Sequence, residues 1–240
     1  MIDRETVQTI MNLKNQDSQD IFYPVAEYFV SVNGEGLSSG YLSAFVRLRG
    51  CNLRCNYCDT EWACRPDCPV TLMTARQILD QVRENGVDRV TLTGGEPLLS
   101  KEIDLLISLL TGQGIQVEIE TNGSVSILPY LHLSPRPAFT LDYKCPGSGM
   151  DSFMLEENFR CLDRRDCVKF VVSDRNDLEK AKEVADFFEL DKQCSVILSP
   201  VFGRIEPEEI VEFMKEHKWN SARIQLQLHK FIWPQDKRGV

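Results

Sequence analysis

The sequence has no surplus of positive charge and no long apolar run. Its 240 residues carry 27 Lys and Arg against 36 Asp and Glu, which gives a net charge of −9. Without a positive field, binding to a nucleic-acid backbone is not expected. No stretch reaches the roughly 18 consecutive apolar residues of a membrane span, and no basic segment followed by an apolar core opens the chain. We therefore expect a cytoplasmic protein with no membrane partner.

Cysteine, by contrast, is abundant. The chain has 9 cysteines, an odd number. Thiols of cytoplasmic proteins are kept reduced, so clustered cysteines there favour metal or redox chemistry over disulfides. The spacing of the cysteines must decide which chemistry applies.

Apolar, β-branched runs alternate with helical patterns after Tyr23, which is typical of βα units and a parallel sheet. The predicted strands, the last of them provisional, are Ser43–Arg49, Arg89–Thr93, Gln116–Glu120, Ala138–Asp142, Cys167–Val172, Ser195–Leu198 and Arg223–Leu228. Six or so such units are too few to close an eight-stranded barrel. We predict an α/β fold, an incomplete (β/α)6-type barrel with a mostly parallel, curved sheet and its site at the carboxyl ends of the strands.

Domain and helix boundaries can also be predicted. Residues 1–20 are polar and are interpreted as an N-terminal extension, and residues 21–240 as a single domain. Thr74 followed by Gln77 resembles a capping box. Ser100 is a candidate N-cap for a helix over Lys101–Leu110, and Pro207 suits the first turn of a helix that reaches His217.

Three cysteines follow the first predicted strand within one short loop. Cys51, Cys55 and Cys58 have the spacing C-x3-C-x2-C. Three thiolates can bind three irons of an iron-sulfur cube, whereas clusters used only for electron transfer have four cysteine ligands. Three ligands leave one iron open to bind a substrate or cofactor. The alternative is a structural zinc site completed by Cys64 or Cys68, but zinc knuckles usually come as two similar short pairs.

A second motif ends the next strand. Thr93 is followed by Gly94, Gly95 and Glu96, and two glycines allow close backbone approach. A plain tight turn before a helix is the competing interpretation of this segment. Together, the cysteine triplet and this motif resemble the radical S-adenosylmethionine (SAM) superfamily. The resemblance implies a 4Fe-4S cluster on the three cysteines, whose open iron binds SAM, and a 5'-deoxyadenosyl radical that abstracts hydrogen.

Three further stretches resemble the 7-carboxy-7-deazaguanine synthase family. They are Glu27–Gly36, where Asn33 replaces the usual Gln, Ala44–Cys51, and Gln225–Trp233, which resembles a Gln-x-His-Lys ending. The resemblance implies that the substrate is 6-carboxytetrahydropterin, bound by Val32, Asn33, Gly34, Arg47, Thr93 and Gln227, with Glu120 and His229 as catalytic residues. Arg49 is the nearby alternative to Arg47 as a carboxylate ligand, and an ion pair is the structural alternative for either. Glu118 and Glu120 have the alternative of a solvated strand face.

The same resemblance implies the cofactor ligands. SAM would be bound by Gly94, Gly95, Glu96, Asn122, Asp142, Tyr143, Lys144, Ser199, Pro200, Val201 and Phe202. Thr60 matches a hydroxyl that helps to hold Mg2+, with helix capping as the competing explanation.

The function implied is radical ring contraction of the pterin to 7-carboxy-7-deazaguanine, with loss of ammonia, on the route to queuosine. The family is typically homodimeric, and its cluster needs an electron donor such as a flavodoxin or ferredoxin. Two alternatives remain: an activating enzyme of glycyl-radical enzymes, which would act on a partner protein, and a non-catalytic binding module stabilised by zinc.

Overall fold

A computed structural model describes residues 21–234 and 237–240. Nine strands within these residues form one mixed sheet. The strands are β1 (Phe22–Val32), β2 (Leu42–Leu48), β3 (Thr71–Thr74), β4 (Arg89–Gly94), β5 (Gln116–Thr121), β6 (Ala138–Tyr143), β7 (Cys167–Val172), β8 (Ser195–Pro200) and β9 (Ala222–Ile224). Their order is β3-β1-β2-β4-β5-β6-β7-β8-β9. From β2 to β9 all neighbours are parallel, and β1 pairs antiparallel with both β2 and β3. The sheet is open between β3 and β9, as expected for an incomplete barrel.

The connections between strands contain the helices. They are α1 (Glu61–Cys64), α2 (Ala75–Glu84), α3 (Ile103–Gly112), α4 (Glu156–Phe159), α5 (Arg175–Phe187), α6 (Leu190–Gln193), α7 (Pro207–Glu216) and α8 (His229–Ile232). Short 3-10 turns lie at Pro97–Leu99, Leu128–Tyr130, Pro146–Ser148 and Asp151–Phe153. Across the described ranges 21–234 and 237–240, no helix is both long and apolar enough to cross a membrane.

The two faces of the sheet differ in chemistry because side chains alternate along each strand. One face is apolar and packs against the helices; it includes Val46, Leu92, Ile119, Leu141 and Phe170, which join helix residues in the core. The other face is unusually polar for a parallel sheet. It includes Thr91, Glu118, Thr140, Lys169 and Ser199, all of them buried. This polar face leads to the site.

The predicted α/β class and the mostly parallel sheet are confirmed, and so is the capping box of Thr74 and Gln77. The prediction for α3 was wrong: the helix begins at Ile103 after Glu102, whose φ is 51°, and Ser100 instead ends the preceding 3-10 turn. β1 and β3 were not predicted as strands, and β9 is shorter than predicted. The predicted extension at residues 1–20 lies outside the described residues.

Candidate active site

A cavity of about 440 Å3 opens at the carboxyl ends of the parallel strands. Its wall contains the cysteine loop, the ends of β2, β4, β5 and β6, and the last residues of the chain. Loops that follow parallel strands converge at this edge, so residues far apart in sequence meet there. The cavity is therefore the place at which the predicted motifs can act together.

The three cysteines of the triplet all face this cavity. Cys51, Cys55 and Cys58 are free thiols of intermediate exposure. The neighbouring Cys64 thiol lowers the pKa of Cys51 and of Cys58 to about 6, whereas burial raises the pKa of Cys55. Cys51 Sγ also accepts hydrogen bonds from Leu53 N at 3.4 Å and Asn122 Nδ2 at 3.6 Å. Donors around thiolates of this kind suit an iron-sulfur cluster.

The two further cysteines differ from each other. Cys64 is buried beside the triplet and its Sγ donates to the carbonyl of Thr60 at 3.6 Å, whereas Cys68 Sγ donates to the carbonyl of Pro69 and does not line the cavity. Cys64 thus shares the cavity with the triplet, whereas Cys68 does not.

The hydroxyl of Thr60 lies 3.8 Å from Cys58 Sγ on the cavity wall. Thr60 precedes α1, but its side chain makes no capping hydrogen bond. Helix capping therefore does not explain this hydroxyl.

The Gly-Gly turn after β4 packs against the start of the cysteine loop. Gly95 N donates to Leu48 O at 3.1 Å, and Glu96 N donates to Gly50 O at 2.8 Å. A Cβ on Gly95 would lie 2.2 Å from Gly50 O, which no side chain allows. Gly95 is thus required because the backbone of the cysteine loop packs directly against it. This contact fixes the cysteine loop to the end of β4.

Glu96 was predicted to bind SAM, but its side chain points into the protein. It is 1% exposed and does not line the cavity. Its carboxylate accepts hydrogen bonds from Leu98 N, Thr121 Oγ1 and Asn122 N, and burial raises its pKa to about 7. The carboxylate therefore orients the end of β5 rather than facing a ligand.

The loop after β1 closes against the C-terminal segment. Gly36 N donates to Gln225 Oε1 at 2.8 Å, and Gln225 Nε2 donates back to Gly36 O at 3.0 Å. A Cβ on Gly34 would lie 3.1 Å from His229 Nδ1, so a glycine permits the close contact. These contacts join the loop after β1 to the segment that follows β9.

The side chain of Asn33 is occupied within this loop. Its Nδ2 donates to Thr91 Oγ1 at 3.1 Å and Glu118 Oε2 at 3.2 Å, and its Oδ1 accepts from Glu35 N at 3.1 Å. Asn33 is 1% exposed, although it contributes to the cavity wall. The predicted side-chain contact with substrate is thus not favoured, and the backbone of Val32, Asn33 and Gly34 remains available.

The two candidate arginines of β2 have different surroundings. Arg47 lies on the cavity wall, and its Nε is 3.2 Å from Glu27 Oε2. Arg49 donates through Nη1 to the carbonyl oxygens of Pro66 and Cys68, each at 3.3 Å. The structure therefore supports Arg47 as the residue that can meet a ligand and gives Arg49 a structural role.

Glu118 and Glu120 do not form a solvated face. Glu118 is 5% exposed and accepts hydrogen bonds from Asn33 and Thr140. Glu120 lines the cavity, and burial raises its pKa to about 7. A carboxyl group with this pKa can exchange a proton at neutral pH.

A charged group lies between β6 and β7. Lys169 Nζ is 2.7 Å from Glu35 Oε2 and 3.1 Å from Asp142 Oδ1, and Lys144 Nζ is 2.8 Å from Asp142 Oδ2. Burial opposes ionisation of Asp142, but Lys144 and Lys169 outweigh it and lower its pKa. Asp142 Oδ1 is buried and lies against Lys169 Nζ in this ion pair, with no further well-directed hydrogen bond from the described residues.

Most of the predicted site residues lie on the cavity wall, namely Val32, Asn33, Gly34, Arg47, Cys51, Cys55, Cys58, Thr60, Thr93, Gly94, Gly95, Glu120, Asn122, Asp142, Lys144, Val201, Phe202, Gln227 and His229. Besides Glu96, three residues do not reach it. Tyr143 belongs to the core and packs on Phe159 and Phe170, because it has the opposite strand parity to Asp142. Ser199 and Pro200 lie within β8, where Ser199 Oγ is buried with no hydrogen-bond partner in the described chain.

Several wall residues were not predicted. Phe29 and Phe45 stack with ring centroids 4.8 Å apart, and Glu27 lies beside Arg47. Residues 237–240 also reach the cavity, where the guanidinium of Arg238 lies 4.1 Å from the centre of the Trp62 ring. One signal was present in the sequence: Lys169 is the one charged residue of the otherwise apolar segment Cys167–Val172, and a buried charge requires a partner.

Comparison with known proteins agrees with this geometry. Residues 45–131 match the Radical SAM superfamily. The chain is 53% identical to the 7-carboxy-7-deazaguanine synthase of Clostridium acetobutylicum, over 91% of this chain and 99% of that protein. It is 36% identical to the enzyme of the same name from Leptospira interrogans, over 90% of this chain and 97% of that protein.

A solved structure shares the fold. The crystal structure of QueE from Escherichia coli superposes with a TM-score of 0.70 at 20% identity, covering 89% of this chain and 97% of that chain. At 20% identity this similarity shows a shared fold. Family membership rests on the sequence relatives. The chain is a radical SAM enzyme and belongs to the 7-carboxy-7-deazaguanine synthase family.

Proposed function

We propose that this chain converts 6-carboxy-5,6,7,8-tetrahydropterin to 7-carboxy-7-deazaguanine by radical ring contraction with loss of ammonia. One observation carries the proposal. The cysteine triplet and the pterin-type residues Arg47, Thr93, Glu120 and His229 line the same cavity. Relatives that bear the synthase name align with about nine tenths of this chain, which supports the same chemistry here.

Cys51, Cys55 and Cys58 would hold the 4Fe-4S cluster. Their thiols share one wall of the cavity, and two of them have a pKa lowered to about 6, which suits ligation by thiolates. When bound, the cluster and SAM would supply radical chemistry that begins with hydrogen abstraction at the sixth ring carbon of the substrate. The protein binds and orients these groups.

SAM would occupy the side of the cavity formed by the ends of β4, β5 and β6. Gly94, Gly95 and Asn122 lie next to the cysteine loop, and Asp142 and Lys144 offer an acceptor and a cation for the amino acid part of the cofactor. Val201 and Phe202 add apolar surface. This half of the cavity would be supported from within the protein, without contact to SAM, by Glu96, Tyr143, Ser199 and Pro200.

The pterin would lie between β2 and the C-terminal segment. Arg47 presents a guanidinium that can hold the substrate carboxylate, and Thr93 adjoins it in the next strand. Glu120 can move a proton at its carboxyl group, as the departure of ammonia requires. Burial lowers the pKa of His229, so its imidazole is neutral at neutral pH and can accept a hydrogen bond. Gln227 completes this wall.

Further partners belong to the same proposal. The uncapped hydroxyl of Thr60 would help to hold Mg2+, shared with substrate and water, because Mg2+ prefers a few hard oxygen ligands. A flavodoxin or ferredoxin would supply the electron, and the protein would act as a homodimer in the cytoplasm. The net charge of −9 gives no support for nucleic-acid binding.

The test is anaerobic reconstitution with SAM, dithionite, Mg2+ and 6-carboxytetrahydropterin, followed by mass spectrometry. We expect 7-carboxy-7-deazaguanine, and none from a Cys55→Ala variant. Formation of 5'-deoxyadenosine without the deazaguanine would keep the radical chemistry and reject the substrate.

A further inference from the structure

Lys169 is a buried cation whose role the proposed reaction does not include. Its side chain lies on the polar face of β7 and is 5% exposed, yet it reaches the cavity wall. A buried charge is retained only where opposite charges compensate the loss of solvent. The carboxylates of Asp142, Glu35 and Glu120 do so here, and together they outweigh burial and raise the pKa of Lys169.

The two carboxylates that touch Lys169 come from distant parts of the chain. Glu35 belongs to the loop after β1, and Asp142 lies near the end of β6, next to Lys169 in the sheet register. Each uses its second oxygen for another partner. Gln227 Nε2 donates to Glu35 Oε1 at 2.7 Å, and Lys144 Nζ donates to Asp142 Oδ2 at 2.8 Å.

These contacts form one continuous chain, Gln227–Glu35–Lys169–Asp142–Lys144, which we call the charge bridge. Its first residues border the half of the cavity assigned to the pterin, and its last residues border the half assigned to SAM. Lys169 is its central member.

The two halves of the charge bridge depend on Lys169 to different degrees. Asp142 has a second cation in Lys144, so it keeps an ion pair when Lys169 is removed. For Glu35, Lys169 is the cation that the described residues provide. The charge of Glu35 raises the pKa of both Glu118 and Glu120, so like charges lie close to Glu35 and would repel it if its cation were removed.

We propose that Lys169 is a positioning residue that holds Glu35, and through it Gln227 and the loop at residues 33–36, in the geometry that the pterin half of the site requires. The identity of the ligand in this proposal rests on the proposed function. The charge bridge itself does not depend on that function. It assigns to Lys169 an effect on substrate binding that is larger than its effect on SAM binding.

The first test measures order in the reconstituted protein without any substrate. In Lys169→Met, amide hydrogen exchange is expected to rise in residues 33–36 and 225–229 and to stay unchanged in α2. Lys215→Met, which removes an exposed ion pair with Glu212, is the matched control and should change neither segment. Unchanged exchange at 33–36 and 225–229, or a uniform rise over the whole chain, would overturn the proposal.

The second test separates the two ligands by kinetics. In Lys169→Met the KM for 6-carboxytetrahydropterin should rise at least about tenfold, as is usual when one partner of a buried ion pair is lost, and the KM for SAM should change less than about threefold. Lys169→Arg keeps the charge and should restore much of the loss. Equal effects on both KM values would contradict the positioning role.

Two further variants cover a failure of Lys169→Met to fold. Glu35→Gln should raise the substrate KM in the same way, and Lys169→Arg combined with Glu35→Gln should be no worse than Glu35→Gln alone, because residues that act through one contact are not additive. If the wild type does not convert the pterin at all, the proposed function fails. The exchange experiment still decides whether the charge bridge holds the loop.

Discussion

Arg47 and Glu27 face each other across the antiparallel pair of β1 and β2, with Arg47 Nε 3.2 Å from Glu27 Oε2. The contact uses one edge of the guanidinium and fixes its plane at the cavity wall. The terminal nitrogens remain for a carboxylate, which they can bind in a bidentate manner. Glu27 thus orients the residue that we expect to hold the substrate.

Arg47→Lys is expected to weaken substrate binding, since lysine keeps the charge and loses the planar fork. The KM for the pterin should rise by about 10- to 100-fold. Formation of 5'-deoxyadenosine in the absence of substrate should be unaffected. Steady-state kinetics with product analysis measures both quantities.

Arg49→Lys is the control for this prediction. Arg49 bonds to the carbonyl oxygens of Pro66 and Cys68, so its loss should lower stability and leave the pterin KM near the wild-type value. The assignment of Arg47 would be wrong if the two variants had the same effect on that KM.

Glu120 makes stability depend on pH in a defined direction. Burial raises the pKa of Glu120 to about 7 in the folded protein, whereas the pKa of a glutamate in an unfolded chain is about 4.3. The folded state therefore retains the proton longer, and the stability that this provides below the unfolded pKa is lost as pH rises through about 7. The free energy of unfolding should fall by about 1 to 3 kcal/mol. The pKa difference sets the upper end of this range, and contact of the carboxyl group with the cavity reduces the effect.

Glu120→Gln removes this dependence. The Tm of the variant relative to the wild type should be higher at pH 8 than at pH 6, by a few degrees or so, as measured by anaerobic thermal unfolding. A Tm difference that is the same at both pH values would show that Glu120 does not titrate in this range.

Asn122 links the end of β5 to the cysteine loop. Its Nδ2 lies 3.6 Å from Cys51 Sγ and 3.1 Å from Asn52 Oδ1. Hydrogen bonds to cluster sulfur stabilise the reduced state, so Asn122→Ala should lower the reduction potential of the cluster. A redox titration followed by EPR, without SAM, measures this shift. Ser124→Ala keeps the Asn122 amide and should shift the potential less; an equal potential in all three proteins would contradict the prediction.

Cys64 lies beside the triplet but is not expected to be a ligand. Cys64→Ala should retain iron and sulfide at the wild-type ratio after reconstitution, because the three remaining thiols still face the cavity. Cys55→Ala should lose most of the iron. Loss of iron from Cys64→Ala to the same extent would indicate four protein ligands and a closed cluster.

Local sequence patterns predicted much of the fold and of the site. The triplet Cys51–Cys58 is defined by spacing alone, and the capping box at Thr74 and Gln77 needs only four consecutive residues. Apolar and β-branched residues recur along β4 to β8, so these strands could be predicted nearly to the residue. Family motifs then placed residues such as Arg47 and Gln227 on the same cavity wall.

Features that depend on pairing between distant segments could not be predicted in this way. Lys169 meets Glu35 because β7 and the loop after β1 converge, 134 positions apart in the chain. The inward turn of Glu96 depends on Thr121 and Asn122 at the end of the neighbouring strand. Glu102 starts α3 from a left-handed conformation that its sequence does not signal.

The most direct test of the central claim follows one hydrogen atom. 6-Carboxytetrahydropterin labelled with deuterium at its sixth ring carbon is incubated anaerobically with the reconstituted protein, SAM, Mg2+ and dithionite, and the 5' carbon of the adenosyl group is analysed by mass spectrometry. We predict that deuterium enters that carbon while 7-carboxy-7-deazaguanine accumulates. Deazaguanine formation with no deuterium at the 5' carbon would contradict the account.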